Sequence, residues 1–417
     1  MLEQAFNSFY KESTSMYLVV EQQEGIIKHL THLEEYILTQ QKAGLDIAVS
    51  FVKGLTETFN GNTDTGIFTT VKYDGSPAVI CGYNPENNRF FVATKSAAAK
   101  IPKVCYTIED IQQNYGQAPG LVEKMRLALL YLPKVIKSNI YQGDFMFDRA
   151  TLNQIDFQRE KLITFKPNTI TYAVEADSEL GKKIQAAQIG VVFHTRYTGP
   201  NLKQLSKSPD VNASEFNQSP DVWFDDAKFK DMSGTVTLTD DEKKVITDTL
   251  NSIEKISGVT DWTALPNNFY TSANTFINTL IRTGRFVEDP EETFNKFIEW
   301  YSNKLDKEIE KLKSDAGKQR KTTAKNKEIE FLNTNKISIL NIFNITKKLA
   351  DLKKIFFNKY SAAIKTKQFL TQPDGTLKVT PGEGFVAVDR VGNMVKLVDR
   401  LEFSRANFAI SKGEKFK

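Results

Sequence analysis

The sequence predicts an α+β protein in which antiparallel sheets with flanking helices are interrupted by a long helical insertion. Three observations lead to this class. Between about residues 61 and 238, short runs of strand-forming residues are punctuated by turn signals and separated by helical stretches. From residue 239 the apolar period becomes that of a helix and stays so to about residue 370. Strand signals then return at Leu377-Lys-Val379 and Glu383-Gly-Phe-Val-Ala-Val-Asp389. The organisation expected is a helical segment over 1–60 packed on the strand-rich body, a first part of that body over 61–238, the insertion over 239–370, and a last part of the body over 371–417.

Each element has its own signal. Within residues 14–60, Ile26, Leu30, Leu33 and Ile37 form one helical stripe, and Ile47, Phe51, Leu55 and Phe59 form a second. His29 and His32, three apart on the first stretch, are spaced to bind a metal, but with no third ligand in view such a pair is more often found at a surface or interface. Strand-forming runs then flank the turn Asp74-Gly75. Residues 89–96 read as a strand ending in Lys95 and Ser96, with Lys100 beyond three alanines. Residues 108–115 and 121–137 read as helices. In 139–147 the apolar Phe145 and Phe147 alternate with Asp144, so a carboxylate faces away from them in a strand, where Asp is disfavoured. Residues 161–174 form a strand pair joined at Pro167-Asn168, a helix covers 178–187, and 189–197 is a buried strand. The loop-rich 200–237 carries Val222-Trp-Phe224 and the strand-like 234–238. Thr239-Asp-Asp-Glu242 is a capping box that opens the helical block. After the block, the turn Val391-Gly-Asn393 joins two strands as a hairpin, with Glu383 and Lys396 as their charged residues.

Composition narrows the class of function. With 417 residues, 40% hydrophobic and 25% charged, the chain is long enough for two or three domains with cores. It has no apolar run of membrane-spanning length and no signal-peptide pattern at its start, so a cytoplasmic location is expected, the host cytoplasm if the chain is phage-encoded. Its two cysteines, Cys81 and Cys105, have no metal-binding spacing. The net charge of +4 is uneven: residues 304–367 hold 17 Lys+Arg against 7 Asp+Glu, a local balance of +10 that leaves −6 for the rest. Such a segment, with Lys318, Arg320, Lys321 and Lys325 at its centre, suits a polyanionic partner, and it also suits a solvated helical face.

Lys72, at a strand end two residues before Asp74, is the candidate for chemistry. A held lysine beside a carboxylate can act as a nucleophile when its pKa is brought down. The same tetrapeptide, Lys72-Tyr-Asp-Gly75, also suits a plain hairpin with a solvated lysine.

The order Lys72-x-Asp-Gly75, an acidic strand at Asp144, an aromatic strand at 191–193, Glu383-Gly-Phe-Val386 and then Lys396 resembles the covalent nucleotidyltransferase superfamily of polynucleotide ligases and mRNA capping enzymes. Phage-type ATP-dependent RNA ligases are the nearest in pattern. The resemblance implies an ATP-grasp-like nucleotidyltransferase domain with the helical insertion as a nucleic-acid clamp. It also implies a ligase, RNA ahead of DNA as its acceptor, that works through a covalent lysyl-AMP intermediate. Lys72 would carry the AMP, and Asp74 would orient it. Gly75 would lie in the nucleotide pocket, and Phe193 would stack on adenine. Asp144 and Glu383 would hold Mg²⁺ (or Mn²⁺), and Lys396 and Lys95 would neutralise the α-phosphate of ATP. Three departures accompany it: the acidic strand has Asp144 where those families usually have glutamate, Val398 stands where they usually have a second lysine two residues after Lys396, and little chain follows Lys396. The last is expected to exclude a capping enzyme or ordinary DNA ligase. Two further readings follow: a nucleic-acid-binding or virion-associated protein on a decayed ligase scaffold, or nucleotidyl transfer to an acceptor other than nucleic acid.

Overall fold

The computed structural model describes residues 30–62, 65–98, 102–228, 237–363, 367–371, 377–379 and 383–401. It is a mixed α+β structure with largely antiparallel sheets and, among the described residues, nine α-helices. The strands are β1 (Thr31–His32), β2 (Phe68–Lys72), β3 (Ala78–Tyr83), β4 (Phe90–Ala93), β5 (Ile140–Asp148), β6 (Asn153–Phe157), β7 (Glu160–Phe165), β8 (Ile170–Glu175), β9 (Ile189–Thr198), β10 (Ser206–Ser208), β11 (Val222–Asp226), β12 (Lys367–Thr371), β13 (Leu377–Val379), β14 (Gly384–Val388) and β15 (Met394–Leu397). The helices are α1 (Tyr36–Phe59), α2 (Ile108–Tyr115), α3 (Pro119–Tyr131), α4 (Glu179–Ala186), α5 (Asp240–Gly258), α6 (Asn267–Arg282), α7 (Pro290–Glu310), α8 (Asp315–Thr334) and α9 (Lys336–Ala363). The chain divides into two compact units. Among the described residues, one holds those between 68 and 228 and between 367 and 392, and the other holds those between 31 and 67, between 237 and 363 and between 393 and 401.

The first unit is the strand-rich one. Its larger sheet runs β10-β9-β5-β3-β4, with β11 joining β9 in parallel, and a second sheet runs β13-β12-β8-β7-β6. Alternation along β5 and β9 sends Tyr141, Phe145, Val191 and Phe193 to one face, where Ile111 of α2 and Met125 and Ala128 of α3 cover them. That face is the core. Asp144 lies on the opposite face, as its alternation with Phe145 predicts. A separate ladder pairs β2 with β14, register Lys72 to Gly384, and Val71 N–H donates to Ala227 O at 2.7 Å just past β11.

The second unit is helical. Thr239 caps α5 through the predicted box, its hydroxyl accepting from Glu242 N–H at 3.2 Å. The core is aromatic: Phe297 of α7 packs against Phe269 and Phe276 of α6 and Phe343 of α9. No helix among the described residues is long and apolar enough to cross a membrane.

Three sequence expectations differ from the structure. The N-terminal helix α1 packs on α6 and α9 and so belongs to the helical unit, not to the strand-rich body. Residues 31 and 32 are a short strand beside β15, so His32 is not on a helix; His29 and Ile26 lie outside the described residues. Residues 367–371, expected at the end of the helical block, form β12, because the edge of β8 offers backbone partners over Ile170 to Ala173. The strand-like stretch 234–238 falls mostly outside the described residues.

Phe343 is fully buried. Phe343→Ala is expected to destabilise the helical unit by about 3–5 kcal/mol, read as a lower denaturant midpoint of the helical signal.

Candidate functional site

The turn between β2 and β3 is held from three sides. Asp74 is buried, and its carboxylate accepts from Asn168 Nδ2 at 2.8 Å and from the backbone N–H groups of Thr169 and Ile170 at 2.6 and 2.8 Å. Its own N–H donates to the Tyr172 hydroxyl at 2.7 Å. Ser76 N–H donates to Phe145 O and Phe145 N–H to Pro77 O, each at 3.0 Å. Lys124 of α3 donates to Ser76 O at 2.6 Å. Gly75 passes so close to β5 that a Cβ there would lie 2.3 Å from Asp144 Cβ, which is why glycine is needed.

This turn presents Lys72 at the end of β2. Its ammonium forms an ion pair with Glu383, beside its ladder partner Gly384, and the two side chains keep 25% and 20% of their surface exposed. Asp144 and Lys95 lie within electrostatic reach. Burial pushes the Asp144 carboxyl up to about 7; Lys72 and Lys95 oppose the shift while Glu383 and Asp74 add to it. Lys72, Glu383, Asp144 and Lys95, from four distant stretches of chain, thus form one charged cluster. Lys95 is exposed on a short 3-10 turn, Lys95–Ala98, and next to it Thr94, Ser96 and Tyr115 share hydroxyl contacts, Ser96 Oγ lying 2.9 Å from Tyr115 OH. Lys100 lies outside the described residues.

Other expected site residues sit elsewhere. Phe193 is fully buried in the core, stacked on Phe216 with centroids 4.7 Å apart and edge-on to Tyr141, so its ring is not available to a base. Its neighbour His194 is on the other side of β9, within reach of Lys72 and Lys95. Burial, with those two lysines, lowers its imidazole to about 4, which leaves it neutral at neutral pH; Nδ1 is 2.8 Å from Thr195 Oγ1. Residue type pointed to Phe193, and only strand register could have pointed to His194. Asp74 is fully engaged by the β7–β8 loop, so it holds the turn rather than reaching out of it. Lys396 is in the helical unit, on β15 opposite His32 in the parallel pairing with β1. On α8, Lys325 pairs with Asp306 at 2.5 Å and Lys321 with Glu308 at 3.2 Å across to α7, while Arg320 donates to Ala316 O within its own helix. Two of the four central basic residues are therefore partly neutralised, and Lys318 is part-exposed.

Among the described residues no group of three or more His, Cys, Asp and Glu side chains is arranged to hold a metal ion. Asp144 and Glu383 can still contribute to a Mg²⁺ site of the kind that takes one or two carboxylates and completes its shell from phosphates and water. The raised pKa of Asp144 fits that use, because a cation placed beside it would restore the ionised form.

The fold and site define an α+β protein with a lysine–carboxylate cluster on an antiparallel scaffold. The chain belongs to a family of unknown function, DUF6267, whose model matches residues 27–412. No curated protein and no solved structure matches it.

Two outcomes test this geometry. The folded-state pKa of Asp144 is above the unfolded value, so the folded state holds the extra proton between about pH 4 and 7 and stability falls as pH rises through that window. Chemical denaturation at pH 5 and pH 8 is expected to show a loss on the order of 2 kcal/mol that Asp144→Asn largely removes. Gly75→Ala is expected to lower stability by about 1–3 kcal/mol, because the new methyl must displace β5.

Proposed function

We propose that the protein is an ATP-dependent nucleotidyltransferase with an ATP-grasp-like catalytic unit, and that it joins nucleic-acid ends, RNA ahead of DNA. The observation that carries this reading is the pairing of Lys72 with Glu383 beside Asp144, three residues the chain separates widely and the fold gathers at the end of one strand.

The Lys72 ammonium gives one proton to Glu383 and, as the amine, attacks the α-phosphorus of ATP. A nitrogen–phosphorus bond forms, the bond from the α-phosphorus to the bridging oxygen breaks, pyrophosphate leaves with that electron pair, and the nitrogen releases its second proton to solvent. Glu383 orients the amine before attack. Asp144 and Glu383 would hold Mg²⁺ (or Mn²⁺), which supplies charge neutralisation at the phosphates. Lys95 adds positive charge on the same side, and Lys396 is assigned to the α-phosphate by motif order alone. His194, neutral and adjacent to the cluster, takes the base-facing position that Phe193 cannot. The AMP then passes to a 5′-phosphate, and a 3′-hydroxyl displaces it. The basic stretch around Lys318 and Arg320 is the part of the helical unit suited to the nucleic-acid backbone.

Val398, standing where a second lysine is usual in the resembling families, favours one alternative: a nucleic-acid-binding or virion-associated protein that has lost transfer chemistry. Incubation with α-labelled ATP and Mg²⁺ separates the two. A protein-bound label is expected that Lys72→Ala abolishes and Glu383→Gln lowers at least tenfold; salt-sensitive nucleic-acid binding without label would overturn the enzymatic reading. Label without joining of any RNA or DNA ends would move the acceptor to another class of molecule.

A further inference from the structure

Among the described residues one aromatic side chain is exposed, Phe331 on α8, at 40%. Its setting is basic. Arg320, Lys327 and Phe331 are spaced i, i+7 and i+11, which on a helix of 3.6 residues per turn sets them within ~20° of one line over ~16 Å. All three are exposed, and so are Ala316, Thr323 and Ala324 beside them, which are too small to cover the line. No Asp or Glu falls within ~60° of it, and the nearest, Glu328 and Glu330, lie ~80° to either side. Glu328 is taken by the Tyr301 hydroxyl at 2.8 Å. The cations of α8 that are paired, Lys321 and Lys325, turn instead to Glu308 and Asp306 of α7. Lys327 has no carboxylate partner among the described residues, and neither do Lys311 and Lys313, exposed just before the helix.

Unpaired cations on one line, with no carboxylate between them, are complementary to a row of phosphates. An acidic protein or a duplex would use those cations and leave the ring idle, because a duplex keeps the faces of its bases stacked inside. A single strand offers phosphates and open base faces together. We infer that this line on α8 binds single-stranded nucleic acid, with Arg320 and Lys327 on phosphates and Phe331 stacked on a base. Every base has a π-face, so the contact holds the strand without reading its sequence. The inference rests on the nucleic-acid part of the proposed function and not on the lysyl-AMP step.

Fluorescence anisotropy of the full chain over a salt series tests it, with a labelled single-stranded RNA of about 12 nucleotides and the duplex of the same sequence. Phe331 is at the surface, so Phe331→Ala is expected to keep the helical circular-dichroism signal and its denaturant midpoint. It is expected to weaken single-strand binding about fivefold or more with the slope of log K against log salt unchanged, since losing a stacked base changes no counterion release. Lys327→Ala is expected to weaken binding and to lower that slope by about 0.7. Phe331→Trp is expected to bind at least as well as the natural chain. Duplex binding is expected to be weaker and indifferent to Phe331. Unchanged single-strand binding in Phe331→Ala, or an equal loss for the duplex, would overturn the assignment. A polyglutamate chain of the same charge that binds as tightly as the RNA would also overturn it and make the partner an acidic protein. Binding of no nucleic acid by the natural chain would overturn the nucleic-acid reading as a whole, whereas covalent labelling at Lys72 is expected to persist in Phe331→Ala, so the two proposals fail separately.

Discussion

The carboxylate of Asp74 is the constraint on which the strand-rich unit depends. Three donors from the loop after β7 and the first residue of β8 converge on it in a buried position, and hydrogen bonds to a charged acceptor are worth roughly 1.5–3 kcal/mol each. They tie the turn after Lys72 to a sheet that β2 does not belong to. With the turn so fixed, Gly75 can press on Asp144, and Lys72 is held at its strand end beside Glu383. Remove the anchor and the lysine becomes the solvated hairpin residue that its tetrapeptide equally allows.

The electrostatics of the cluster follow from how few cations it has. Burial is the largest influence on Asp144, and the carboxylates of Glu383, which engages Lys72, and of Asp74 add repulsion to it. Attraction by Lys72 and Lys95 does not offset this, which is why the Asp144 carboxyl rises to about 7 instead of falling as a salt-bridged aspartate would. The same two lysines push His194 the other way, toward the neutral form. A site with a destabilised carboxylate and a neutral imidazole accommodates an added cation and a planar uncharged group better than a further anion alone.

Local signals carried most of what the sequence made legible. Asp144 was visible because aspartate is out of place in a strand, and Thr239 because a capping box is contained in four residues. What was not legible needed partners far away in the chain. A bulge between β5 and β9 shifts their register near His194, so the choice between Phe193 and its neighbour depends on pairing that residue type cannot give. The strand β12 has a mixed, short sequence next to a helix and exists because β8 has an open edge. The placement of α1 likewise depends on which apolar stripe it meets, and amphipathicity says only that it meets one. The strand β6, Asn153–Phe157, has no buried residue, and its mostly polar sequence gives a weak strand signal.

The two units solve the problem of a buried carboxylate in opposite ways. Asp74 is met by neutral N–H groups, which orient it and leave its negative charge uncompensated, so it still acts on Asp144. Glu34 is met by cations, and although its burial alone would favour protonation, Lys353 and Arg400 together keep it ionised. A buried ion pair of this kind is a weak source of stability compared with apolar packing of the same volume. Its effect is on geometry: Arg400 reaches Glu34, Glu35 and Asn278 at once, so it fixes the segment after β15 against both the start of the unit and α6. Three contacts on one guanidinium leave Glu34 with a single oxygen for Lys353 and Arg400 to share, and that shared oxygen is the reason the second one remains without a donor.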